Sequence, residues 1–142
     1  MSELKEQVME KAALAVEQFQ ERSVSALDYS EASLTAIEDM LDEASDFIDE
    51  LPEEQINALT NLAGSYVLAV AANEFEGQFY WHEQQDQPVF VVGEPEFNVA
   101  IITFNKVRGR LNGDTADNLP FFYKGFAERA RQAKSGDSAL YV

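Results

Sequence analysis

The sequence predicts an α+β domain in which three N-terminal helices pack on a small, mostly antiparallel sheet that is followed by two C-terminal helices. Three observations indicate this fold class. Apolar residues recur at helical spacing through the first half of the chain, an aromatic and Val-rich stretch follows Gly77, and helical spacing returns after residue 103. With 142 residues, 46% of them hydrophobic, the chain is long enough to bury its own core, so we expect one domain over residues 1–142.

The first helix is predicted over residues 3–22 by an apolar stripe along one face. The spacing of three and four residues is that of a helix that packs one side on a core, and Glu and Gln fill most of the other positions. The stripe consists of Leu4, Val8, Ala12, Ala15 and Phe19.

A second helix is predicted to begin near Ser30. Ser30 is a favourable N-cap, Glu31 falls in the first turn, and Tyr29 and Leu34 are spaced to form a hydrophobic staple. Alternating steps of three and four residues then indicate a helix that packs along another helix. This stripe consists of Leu34, Ile37, Leu41, Ala44, Ile48 and Leu51.

The third helix is predicted to carry Pro52 in its first turn and to run to about Asn73. Glu53 and Glu54 are favourable near its positive end. Residues 62–72 are apolar on nearly every side, so we expect this helix to be the central, buried one.

Three strands are predicted after Gly77. Residues 78–83 alternate in character and are rich in aromatic side chains, residues 89–92 are Val-rich, and residues 99–103 are apolar. Residues 84–88 have the composition of the turn that joins the first two strands.

Two helices are predicted beyond the strands. The first spans residues 104–111 and ends at Asn112-Gly113, a favourable C-cap pair. The second is predicted to be capped by Asp117 and to reach about Ala133. Residues 134–142 are expected to form a mobile tail, and the alternative is that Leu140-Tyr141-Val142 docks on the domain.

The charge of the chain is unevenly distributed. The net charge is −16, with 22 acidic and 3 basic residues in positions 1–96 but 4 acidic and 7 basic residues in positions 97–142. Residues 28–54 hold eleven carboxylates and no base. Such a field repels nucleic acid and anionic membranes and attracts basic proteins. We therefore expect a basic protein partner, with no nucleic acid and no membrane as partner.

The outer face of the second helix is the main candidate for binding that partner. Carboxylates spaced at i, i+3 and i+4 lie about 5–6 Å apart at Cβ. The alternative interpretations are a solvated face that keeps the protein soluble and a weak divalent-cation site. The cation site lacks the converging, Gly-bearing loop that calcium sites use, so no metal is predicted. The candidate residues are Glu38, Asp39, Asp42, Glu43 and Asp46.

Three aromatic residues are further candidates for partner contacts. Tyr80, Trp81 and Tyr123 are chosen because Trp and Tyr dominate the binding energy of interfaces. The competing interpretation is that the aromatic residues of the second half form the core between the sheet and the helices.

A ligand pocket near Trp81, His82, Lys106 and Arg108 is the alternative site. His82 is the only histidine, but the chain has no Gly-x-Ser-x-Gly elbow, no second histidine for a metal and no phosphate-binding glycine loop. Lys106, Arg108 and Arg110 form a basic cluster that suits a phosphate or an acidic peptide. The alternative is that these three residues form ion pairs with the acidic helices of the same molecule. No catalytic residue and no cofactor are predicted.

Several short motifs in this order resemble a family of small bacterial α+β domains of unknown function. The resemblance covers residues 27 to about 125. It implies no activity, cofactor or catalytic residue, and it favours a cytosolic accessory role. The motifs are Leu27-Asp28-Tyr29-Ser30, Ser33-Leu34, Gly64-Ser65-Tyr66, Trp81, Phe104-Asn105-Lys106-Val107, Leu111-Asn112-Gly113 and Leu119-Pro120-Phe121-Phe122-Tyr123.

These observations lead us to expect a non-catalytic cytoplasmic protein that docks a basic partner, in the manner of an inhibitor or immunity protein. A small-ligand-binding domain or enzyme is the first alternative, and a homo-oligomeric structural domain is the second. The protein itself is expected to be a monomer or homodimer. The absence of cysteine excludes thiol catalysis and fits a reducing compartment, and the N-terminus lacks the basic and apolar regions of a signal peptide.

Overall fold

The computed structural model describes residues 3–22, 26–114 and 118–142, and confirms the predicted α+β class. The described helices are α1 (Glu3–Phe19), α2 (Leu34–Ser45), α3 (Glu53–Glu74), α4 (Phe104–Leu111) and α5 (Leu119–Gln132). The described strands are β1 (Gly77–His82), β2 (Gln87–Val92), β3 (Asn98–Ile101) and β4 (Ser138–Tyr141). Short 3-10 turns cover Gln20–Arg22, Glu31–Ser33 and Ile48–Glu50.

The four strands form one sheet in the order β1-β2-β3-β4. The pairs β1–β2 and β2–β3 are antiparallel, with Phe79 opposite Phe90 and Val91 opposite Ala100. Strands β3 and β4 are parallel, and α4 and α5 form the connection between them. A parallel pair requires a crossover of this kind, because a tight turn can join only antiparallel neighbours.

The C-terminal segment differs from the prediction of a mobile tail over residues 134–142. Ser138–Tyr141 pair with β3 in parallel, and the Ile102 amide donates to the Tyr141 carbonyl at 2.9 Å. The Tyr141 ring also packs edge-on against Phe122 and Phe126. The prediction was wrong because a four-residue strand has too little periodicity to be recognised without its partner strand, which lies 40 residues earlier.

Helix α3 is the centre of the core, as predicted. Its residues are buried without interruption from Ala63 to Ala71, and α1 packs along it. The sheet contributes one face to this core. Its buried members are Phe79, Phe90, Val92, Val99 and Ile101.

Helix α2 ends earlier than its apolar stripe. The helix stops at Ser45, so Ile48 and Leu51 lie beyond it and are half-buried. Its last turn contains no basic residue, and carboxylates are unfavourable near the negative end of a helix. This early end leaves Phe47 exposed on the surface.

The caps agree in part with the prediction. Ser30 caps the short turn that leads into α2, and its hydroxyl accepts from the Ser33 amide at 3.3 Å. Asn118 caps α5, because its side-chain oxygen accepts from the Phe121 amide at 2.9 Å. The predicted cap, Asp117, lies outside the described residues.

Gly64 allows α4 to approach α3 closely. The Thr103 hydroxyl donates to the Gly64 carbonyl at 2.7 Å. A Cβ at Gly64 would overlap the Phe104 ring and lie 3.2 Å from the Thr103 hydroxyl oxygen. A Cβ at Gly125, inside α5, would instead meet only Tyr141, at an ordinary 3.4 Å.

Replacing these two glycines by alanine should therefore change stability in opposite directions. We expect Gly64→Ala to lower the free energy of unfolding by about 1–3 kcal/mol through overpacking. Gly125→Ala should raise it by about 0.5–1 kcal/mol, because Ala restricts the unfolded chain and favours helix. Urea unfolding measures both, and a stabilising Gly64→Ala would contradict the close approach of α4.

Candidate functional site

The carboxylates predicted to form a docking face do not all lie on the surface. Asp39, Asp42, Glu43 and Asp46 are exposed, but Glu38 is buried between helices. Glu38 therefore does not belong to a docking face. The correction follows from its partner, Arg110, which approaches from α4 and draws the Glu38 carboxylate inward.

Arg110 and Glu38 form a buried ion pair that joins three helices. The Arg110 guanidinium donates through Nε to Glu38 and through a terminal nitrogen to Asp42. The second Glu38 oxygen accepts from the Leu119 amide, at the start of α5, at 3.0 Å. The Arg110 side chain is 5% exposed and that of Glu38 12%, whereas Asp42 remains 65% exposed.

The charge state of Arg110 is maintained inside this network. Burial alone would lower the pKa of the guanidinium, but its hydrogen bonds to Glu38 and Asp42 outweigh burial and raise the pKa above its ordinary value. The interpretation that the basic cluster pairs within the same molecule is thereby confirmed for Arg110. It also holds for Arg108, which lies 3.3 Å from Glu53 on α3 and donates to Asn57.

The aromatic candidates separate into two groups. Tyr80 and Trp81 are about half exposed on β1, and the Tyr80 hydroxyl donates to Glu94 at 2.7 Å. Tyr123 is fully buried in α5, where its hydroxyl donates to Glu74 at 2.6 Å. Burial raises the pKa of Tyr123, with the nearby Glu31 charge adding to the effect. Tyr123 is therefore a core residue and not a partner contact.

The four residues of the predicted ligand pocket do not converge. Trp81 and Arg108 line one cleft, but His82 and Lys106 do not. The His82 ring accepts from the Gln85 amide within the β1–β2 turn, and the Lys106 ammonium lies 5.4 Å from the centre of the Phe122 ring. The cleft thus brings together Trp81 and Arg108, and His82 and Lys106 lie outside it.

An apolar groove lies between α1, α2 and α3, and the sequence analysis did not anticipate it. Its volume is about 260 Å³. The signal in the sequence was the pair Met40 and Phe47, which widen the α2 stripe at a seven-residue spacing. The lining residues are Phe19, Ile37, Met40, Leu41, Glu43, Ala44, Phe47, Leu51, Gln55, Leu59 and Ala63.

A polar cleft of about 470 Å³ lies on another side of α3, between α1, the β1–β2 turn and α4. Trp81 and Arg108 belong to it, together with several residues that sequence reasoning did not select. The most prominent of these are Lys11, Asn57, Asn61, Ser65, Gln87 and Asn105.

The described residues contain no group of three or more His, Cys, Asp or Glu side chains arranged to hold a metal ion. Within the same ranges, no helix combines the length and apolar character needed to cross a membrane.

Comparison of the chain with protein-family models, with curated proteins and with solved structures gave no match.

Removing the Glu38 carboxylate should destabilise the fold strongly. We expect Glu38→Ala to lower the free energy of unfolding by about 3–5 kcal/mol, because it leaves the Arg110 charge buried without its main partner. Asp39→Ala, at the next position but exposed, should change it by less than about 0.5 kcal/mol. Thermal or urea unfolding of the two variants provides the comparison, and equal effects would show that the ion pair is not structural.

Proposed function

We propose that this protein is a non-catalytic interaction protein that docks a basic, amphipathic segment of a partner protein in the apolar groove. The observation that carries the proposal is an apolar groove lined by an exposed aromatic side chain, Phe47, and a carboxylate, Glu43. Glu43 and the exposed acids next in sequence to the lining residues, Asp39, Asp46 and Glu50, are called the rim. The mode is that of a helix laid in a groove, in which apolar anchors enter and charged residues meet the rim.

The apolar part of the groove supports a protein segment as its occupant. Phe47 is 52% exposed at the groove, and Met40 is half-buried beside it. Exposed apolar surface bordered by polar groups marks interaction sites, and adaptable Met residues are common there. The volume of about 260 Å³ is below the usual range for drug-sized ligands, so it suits a few anchoring side chains.

The rim supports a basic partner. Among the described residues that line the groove, Glu43 is the only charged one, and it carries a negative charge. Asp39, Asp46 and Glu50 are exposed and come next in sequence to the lining residues Met40, Phe47 and Leu51.

None of these four carboxylates forms an ion pair within the described ranges. Their uncompensated field should steer basic segments toward the groove. The overall charge of −16 opposes a second copy of this chain as the occupant.

This proposal changes the residues expected to make the contact. Tyr80 and Trp81 lie on β1, which does not line the groove. We therefore expect Phe47 to make the aromatic contact with the partner. Asp42 carries less of the steering field than its neighbours, because Arg110 neutralises it.

The proposal is tested with a helical peptide that carries Leu at helical anchor spacing and Lys elsewhere. Binding measured by calorimetry should weaken as salt rises, because the rim charges are exposed. The triple variant Asp39→Asn, Glu43→Gln, Asp46→Asn should bind about 3- to 150-fold more weakly, at roughly 0.2–1 kcal/mol per charge. Phe47→Ser should cost about 2 kcal/mol, as for an interface hot spot.

Matched controls separate the groove from general charge and hydrophobicity. The control triple variant Glu83→Gln, Glu96→Gln, Glu128→Gln removes the same charge from exposed positions elsewhere. Phe121→Ser removes a phenyl ring that is also exposed, on α5. Equal weakening by test and control variants, or no binding at low salt, would refute docking in the groove.

The natural partner is then sought by affinity capture from the source-cell lysate at low and at moderate salt. A basic protein lost with both the rim variant and Phe47→Ser, and kept by both controls, is the expected result. Capture that is indifferent to all four variants would contradict the proposal.

A further inference from the structure

We infer that the polar cleft is a binding site for a small organic anion that carries a planar ring and has about the size of a nucleoside monophosphate. This inference is independent of the docking groove, since the two sites share no lining residue. Four features of the cleft support it: an unpaired buried hydroxyl, a fixed set of amides, two basic side chains and an exposed indole.

Ser65 provides the buried hydroxyl. The residue is 1% exposed and lines the cleft, and its hydroxyl oxygen has no hydrogen-bond partner among the described residues. One turn earlier on the same helix, Thr60 donates to the Ile56 carbonyl at 2.8 Å, which is the usual solution for a helical hydroxyl. Buried polar groups are almost always paired, so an unpaired one at the wall of a cleft indicates a ligand that completes it.

Side-chain amides form a fixed wall opposite α3. Gln87 is buried, accepts from the Phe104 amide at 3.0 Å and donates to the Asn105 side chain at 2.9 Å. Asn105 in turn donates to the Gln85 side chain at 2.9 Å. Each amide is held in one orientation by its neighbour, so the wall needs little reorganisation when a ligand binds.

The lining of the cleft holds more basic than acidic residues, unlike the chain as a whole. It contains two basic residues, Lys11 and Arg108, and one acidic residue, Asp86. Arg108 is positioned by Asn57 and by Glu53, which offsets its charge, and Lys11 forms no ion pair within the described ranges. Lys11 therefore favours an anionic group, and the donors of the held Arg108 guanidinium have the geometry that suits carboxylate and phosphate.

Trp81 provides a surface for a planar ring. Its side chain lines the cleft and is 51% exposed, although Trp is usually well covered in a folded protein. Stacking on an aromatic side chain is a general way to bind a nucleobase or a similar ring. The volume of about 470 Å³ lies in the lower half of the range for small-molecule pockets, which suits one ring with one anionic group.

The test uses Trp81 as the reporter, because it is the only tryptophan in the chain. The whole protein is titrated with the four common ribonucleoside 5′-monophosphates, with the matching nucleosides and with inorganic phosphate, while Trp emission is recorded. At least one nucleotide should give a saturable change in emission. The matching nucleoside and phosphate alone should each bind about tenfold more weakly or worse, because each supplies one part of the recognition.

Three variants locate the binding. Lys11→Gln should weaken the nucleotide by about tenfold, while Lys124→Gln, which changes an exposed base on α5, should leave it unchanged. Ser65→Ala should weaken the nucleotide and yet leave the urea midpoint of the free protein unchanged or higher, because it removes an unpaired buried hydroxyl. A merely structural serine would show a lower midpoint.

Three results would overturn the inference. The first is no saturable change with any nucleotide. The second is a change that Lys11→Gln and Ser65→Ala leave unaltered, which would place the ligand elsewhere. The third is equal binding of inorganic phosphate and nucleotide, which would remove the planar ring from the proposal.

Discussion

The buried ion pair between Arg110 and Glu38 is the constraint on which the arrangement of the helices depends. Two charges withdrawn from water are tolerated only where their geometry and remaining hydrogen bonds are satisfied. Here Asp42 and the Leu119 amide complete the set, so α2, α4 and the start of α5 must meet in one register. Two residues earlier on α4, Arg108 reaches α3. Helix α4 is thus held on both sides, and the α2 wall of the groove and the α4 wall of the cleft are fixed together.

The same interactions determine where negative charge remains. The chain has 26 acidic and 10 basic residues, and several of the bases bind carboxylates on other helices. Arg131, for example, contacts both Glu74 and Glu31. Asp39, Glu43, Asp46 and Glu50 have no such neighbour among the described residues, so the field of these carboxylates is not compensated. The strength of that field reflects which acids the fold compensates as much as how many the sequence contains.

The sequence was sufficient where structure follows from local periodicity. The stripes of α1 and the all-round apolar stretch of α3 are readable because each needs only neighbours within a few turns. Glu38 and Asp39 look alike in sequence, and their different burial is decided by Arg110, 72 residues beyond Glu38. Distant partners also decide the burial of Tyr123, which bonds to Glu74, and the strand conformation of Ser138–Tyr141, which pair with β3.

The two candidate sites were predictable to different degrees. The excess of acid on α2 could be inferred from composition. The exposure of Trp81 could not, because alternation places Trp81 on the same strand face as Phe79, which is buried. The groove could not be predicted either, because it opens where α2 ends. The position of a helix end depends on small differences in free energy, which a sequence pattern does not resolve. The unpaired hydroxyl of Ser65 has no sequence signal at all, since a serine inside an apolar helix ordinarily bonds to its own backbone.

Helix α3 supplies a wall to both sites. Gln55, Leu59 and Ala63 face the groove, and Asn57, Asn61 and Ser65 face the cleft. A displacement of α3 imposed by an occupant of either proposed site would therefore also displace a wall of the other. Any coupling free energy that results is reciprocal: whatever factor a molecule in the cleft applies to affinity in the groove, a segment in the groove applies to the cleft. The placement of α3 therefore links the two proposed sites, so that the affinity at each would depend on the occupancy of the other.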